Sequence, residues 1–166
     1  MSVTSNMVRT YRAPRATIRG MITQGIREPQ ILVFALASCG LIFVAQWPGL
    51  SRAATLDPSI TFEQRMGGAM FGIMFMLPLL LYAVAGLLQL VMRVLIGPVQ
   101  GIHVRLALFW SLLSVTPLML AQGGLSAIVG PTPAVTAFGF VVTAVFLYIL
   151  AAGLVEVARP RHGEAS

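Results

Sequence analysis

The sequence predicts an all-α polytopic transmembrane helix bundle. It has four spans, five being the alternative count, and an amphipathic surface helix ahead of them. Two observations carry this reading. Of 166 residues, 57% are hydrophobic and only 10% are charged, against about 25% charged in an ordinary soluble domain. The few charges are also gathered, so that residues 29–51, 66–92 and 106–155 carry none. Such a chain cannot cover itself with polar surface, which excludes a soluble globular enzyme.

A membrane helix needs about 20 apolar residues to cross roughly 30 Å of hydrocarbon. The first two charge-free stretches hold one span each, at about 31–47 and 66–95. The third holds two, at about 102–128 and 134–158. The turn signal between them is Gly123-Gly124 followed by Gly130-Pro131-Thr132-Pro133. Pro117 is expected to kink the third span, because proline lacks the backbone donor and crowds the preceding turn. Alternatively the span stops near Gln122 and residues 125–129 form an interfacial turn. The chain thus divides into a basic leader (1–29), a membrane domain (30–158) and a short tail (159–166).

The basic charge sets the orientation. All 11 basic residues counted as Lys or Arg are arginines, and the net charge is +6. With four spans, only Arg52 and Arg65 fall on the side opposite the termini. The remaining arginines flank the other face, a positive-inside pattern with both termini cytoplasmic. A bacterial inner membrane is the expected location. Trp47 and Trp110 sit near span ends, as interfacial aromatics do, although Trp110 could equally face a neighbouring helix.

Within the leader, Ile18, Met21, Ile22 and Ile26 recur at helical spacing, and Arg15 and Arg19 fall off that stripe. A helix of this kind lies in the headgroup layer, apolar face down, with its basic groups on anionic lipid. The membrane-surface candidates are therefore Arg12, Arg15, Ile18, Arg19 and Ile22. The expected partner is the bilayer with its anionic headgroups; no nucleic-acid partner is expected. Leu36-Ala37-Ser38-Cys39 resembles a lipoprotein cleavage box, but more membrane helix follows it where a polar tether is needed. Cys39 reads as a small buried residue.

No catalytic, cofactor or metal constellation is expected. His103 and His162 lie in a loop and the tail, and no Cys pair or zinc spacing occurs. The 5 acidic residues sit at span ends or outside. Helix packing offers more. Gly68 and Gly72 stand four apart, a spacing that lets membrane helices approach closely, within the chain or between copies. Ser111 and Ser114 share a face with Ala107 and are also packing candidates. The row Met66, Met70, Met74 and Met76 reads as packing, not as a copper site.

Arg12-Ala13-Pro14-Arg15-Ala16-Thr17-Ile18-Arg19 resembles the proline-led basic lead-in of bacterial members of the Yip family (Ypt-interacting proteins). Phe43-Val44-Ala45-Gln46-Trp47-Pro48 and Arg105-Leu106-Ala107-Leu108-Phe109-Trp110-Ser111-Leu112-Leu113 are similar to the matching stretches of its short members. The resemblance runs from about Met7 to Arg159. It implies a small polytopic membrane protein with a cytoplasmic N-terminus and no catalytic residues. Eukaryotic members are associated with Rab-type GTPases. Their Asp-Leu-Tyr-Gly-Pro motif is absent here, so that partnership does not carry over, and the family's usual five spans exceed the four counted. The expected function is non-enzymatic: membrane or partner association through helix packing, with a homo-oligomer or a larger complex as its form. The alternative is an accessory scaffold subunit of a transporter or respiratory complex.

Overall fold

The computed structural model describes residues 3–130 and 132–159. The predicted tail, with Arg161, His162 and Glu164, lies almost wholly outside the described residues. The described chain forms six helices: α1 (Val3–Arg12), α2 (Pro14–Thr23), α3 (Glu28–Leu56), α4 (Phe62–Leu95), α5 (Gly101–Val129) and α6 (Pro133–Val157). The last four are long and apolar enough to cross a bilayer. The protein is an all-α, multi-pass membrane bundle, with four spans among the described residues.

The first three spans are longer than expected, and the last, Pro133–Val157, matches its expected limits to within one residue. α3 is 29 residues long, about 43 Å at 1.5 Å per residue. It continues through Trp47-Pro48, where a stop was expected. In hydrocarbon no water competes for the backbone, so an interior proline does not end the helix. α5 likewise runs unbroken through Pro117 and Gly123-Gly124 to Val129. The expected stop near Gln122 does not occur. The chain turns only at Gly130, which has φ +83°, a left-handed conformation that glycine adopts without strain.

α4 contains one irregular turn. Residues Gly72–Met76 form a π turn, directly before Pro78. That proline offers no N–H to the carbonyl of Met74 and its ring would crowd it. A widened turn relieves both problems. The Asp57–Thr61 connection into α4 is held by a capping box, in which Thr61 Oγ1 accepts from Gln64 N–H and Thr61 N–H donates to Gln64.

α5 is the central helix. Val104 and all of residues 106–116 are buried. Helices α3 and α6 pack along it, and α4 covers a third side with Leu81 and Ala85. The closest approach between spans is α3 against α5. A methyl group built on Gly123 would lie 2.9 Å from the carbonyl carbon of Ala45 and nearer still to its oxygen. Gly123, expected as a turn signal, is the contact that lets two helix backbones touch. Gly68 and Gly72 do not play that part inside the chain: a methyl group on either would meet nothing within 4 Å.

Candidate functional site

The residues with the most specific side-chain chemistry gather where the leader meets the spans. α1 and α2 do not lie flat beside the bundle with an open apolar face. They close over the first half of α5. Pro14 starts α2, a position where proline's missing donor costs nothing. Gly25, with φ +70°, ends it and turns the chain into α3. The stripe predicted from spacing is real: Ile18 is 0% exposed, Met21 7% and Ile22 8%. Its cover is protein, however. Ile18 lies against Gly153 of α6: a methyl group there would come within 3.6 Å of Ile18 Cγ1 and 3.1 Å of the Ala107 side chain of α5. Ile18 and Ile22 are therefore not lipid-facing. An apolar stripe dictates burial but not the identity of what buries it.

Hydrogen bonds fix this docking. Trp110 is 0% exposed and donates its indole N–H to Thr10 Oγ1 at 2.9 Å. The same hydroxyl donates to Asn6 O at 2.7 Å, so both groups are satisfied. Phe34 meets the Trp110 ring edge-on, with centroids 5.2 Å apart. Trp110 thus faces neighbouring helices and not the membrane interface. Tyr11 donates its hydroxyl to the carbonyl of Ser114, and partial burial pushes the Tyr11 phenol up from its usual range.

Both predicted serines sit in this interface. Ser111 Oγ donates to Ala107 O at 2.6 Å. Ser114 is equally buried, and its Oγ has no partner among the described residues. Ser114 also meets the leader through its carbonyl, which accepts from Tyr11.

Ion pairs clamp the edges. Arg19 grips Glu156 of α6 with two bonds, 2.6 and 3.1 Å. It therefore meets a protein carboxylate where a lipid phosphate was expected. Arg105 of α5 holds Glu28, the first residue of α3, at 2.8 Å. Across the bundle Arg65 holds Asp57 at 2.8 Å. Asp57 also accepts from Ser59 through its hydroxyl and its N–H. These Ser59 bonds, then Arg65, hold the Asp57 carboxyl below its usual range. Arg12 and Arg15 remain exposed, on the rim of a cleft of about 470 Å³ floored by Tyr148, Ala151 and Ala152 of α6.

Among the described residues, no three of His, Cys, Asp and Glu come together in a way that could hold a metal. Cys39 is buried in α3, as expected of a packing residue. Sequence reasoning missed Thr10 and Tyr11, although Met7, Thr10 and Tyr11 already stand at i, i+3, i+4. It also missed Gly123 and Gly153 as helix contacts. No family model, curated protein or solved structure matches this chain.

Proposed function

We propose that this is a non-enzymatic integral protein of the bacterial cytoplasmic membrane, of the Yip type, with both termini on the cytoplasmic face. It works by association within the membrane and not by turnover. The observation that carries the reading is how the chain spends its polar groups. Glu28, Asp57 and Glu156 each hold an arginine at a helix end, and the buried hydroxyls of Ser111 and Thr116 bond their own helix. Among the described residues these ionisable groups serve to join helices.

The associating face is α4. It is the least covered span, with 17% of its most apolar window buried. Leu79, Leu80, Leu87 and Leu90 are all exposed along it. Gly68 and Gly72 leave open space beside the helix, so a second helix could approach its backbone closely. Arg12 and Arg15 add a basic rim suited to anionic headgroups on the same side as the termini.

Purification of the full chain in mild detergent tests this. A homo-oligomer that Gly72→Leu disrupts supports association through α4. A stoichiometric larger partner supports the scaffold-subunit form of the same idea. A monomer without partners refutes it. Reporter fusions after Gly97 should report cytoplasm and those near Asp57 the opposite side; the reverse result would invert the orientation.

A further inference from the structure

Coverage of α5 is unequal. Its first half is enclosed, but from Pro117 onward the helix is partly bare. There α3 and α6 flank it, and Met119, Gln122 and Ser126 form the floor of a groove between them of about 690 Å³. A second hollow of about 390 Å³ shares Gly49, Met119, Gln122 and Ser126 with it. The walls are mostly apolar, and Phe140 on the rim is 73% exposed.

Two polar groups point to what fills the groove. Arg52 of α3 does not extend outward to water, as arginines near membrane helix ends usually do. It turns inward, donates one bond to Ala127 O at 3.1 Å, and lies against Gly130. Its Nε is buried without an acceptor. It has no carboxylate partner among the described residues. Of five N–H groups on a guanidinium, one is engaged, and the charge is uncompensated. Below it stands Gln122, whose amide lies where a side chain at residue 139 would be; only Gly139 makes room for it. No hydrogen bond to that amide occurs among the described residues. An unpaired amide facing hydrocarbon is costly.

We propose that this groove is a binding site for an anionic phospholipid of the leaflet opposite the termini. The phosphate sits on Arg52, an ester carbonyl accepts from Gln122, and an acyl chain runs over Met119 and Val142. The spacing fits. Gln122 lies five residues from Ala127 along α5, about 7.5 Å in depth. The headgroup and interfacial layer of one leaflet is about 5–8 Å thick. A lipid here would complete the cover of α5 that α1 and α2 provide at its other end.

The test uses delipidated full-length protein in mild detergent, with lipid occupancy read by native mass spectrometry. Phosphatidylglycerol should be retained over phosphatidylcholine by about fivefold, the scale of one basic group near an anionic lipid. Arg52→Gln should bring that ratio close to one. Thr143→Phe, which fills the groove and spares the Arg52 bond, should lower retention of both lipids and serves if Arg52→Gln fails to fold. Arg12→Gln with Arg15→Gln should leave the ratio unchanged. The proposal falls if wild type shows no preference, or if the preference follows Arg12 and Arg15. It also falls if inorganic phosphate raises the melting temperature as much as phosphatidylglycerol does.

Discussion

Replacing Gly123 with alanine should do more damage than any other single methyl added to a span. The new Cβ would sit 2.9 Å from the carbonyl carbon of Ala45 and 3.3 Å from its Cα. Ordinary carbon contacts need about 3.5–4.0 Å. The atoms in the way are backbone, so no rotamer can relieve the clash. The carbonyl oxygen lies nearer still, so α3 must move away from α5 by more than about 1 Å over the length of their contact. Inserting a methylene into a tight core costs about 1–3 kcal/mol, and this site belongs at the upper end because whole helices must shift.

The adjacent residue supplies the control. A methyl on Gly124 meets nothing within 4 Å, so Gly124→Ala should be neutral or gain up to about 1 kcal/mol from reduced backbone freedom. The assay is thermal unfolding of both variants in the same detergent. If the two substitutions shift the melt equally, the α3–α5 backbone contact does not exist as described, and the packing argument built on it fails.

Trp110→Phe keeps an aromatic ring but removes the bond to Thr10 and leaves a cavity where the five-membered ring packed, and should cost about 1–4 kcal/mol. The readout is faster trypsin cleavage after Arg12 and Arg15, because the leader is what loosens. Ile18→Ala should cost about 2–5 kcal/mol and expose the same sites further; unchanged cleavage would mean the leader is not docked through this stripe. For Asp57 the folded carboxyl lies below its unfolded value of about 3.9. Its contribution is therefore present above that value and lost as pH falls through the lower, folded one. Melting temperature should decline more steeply below about pH 4 in wild type than in Asp57→Asn; parallel curves would sink the assignment.

The number of spans was legible because hydropathy and charge gaps are long-range signals that no single residue can overturn. Their ends were not. Trp47-Pro48 and Gly123-Gly124 punctuate helices in water, where exposed carbonyls find other partners. Within a bilayer the backbone has no alternative to its own hydrogen bonds, and both pairs lie inside helices. The leader shows a different limit. Spacing established that Ile18, Met21 and Ile22 share a face, and they do. It could not say that Gly153, beside Ala107, would receive Ile18, because those residues lie on two other helices. Trp110 was ambiguous for the same reason: an indole needs one polar partner, and Thr10 is as good a partner as the membrane interface.

The arrangement of α1 and α2 follows from what α5 lacks. Three spans cannot surround a fourth, so a central helix keeps one side open along its whole length. On the side of the termini that opening is lined by Ala107, Ser111 and Ser114, too small to exclude water or lipid by themselves. α1 and α2 cover it, with Thr10 bonded to Trp110, Tyr11 to the Ser114 carbonyl, and Ile18 against Gly153. Arg19 then reaches Glu156 of α6, and Arg105 ties α5 to Glu28 of α3. Each end of the enclosure thus carries a bond that would break if the leader left or the spans spread. Arg12 and Arg15 remain exposed beside this clamp, and the charge of Arg15 adds to that of Arg19 on Glu156. The segment that seals the core is therefore also the one that presents exposed positive charge. Losing its docking would disturb the enclosure of α5 and the placement of those charges together.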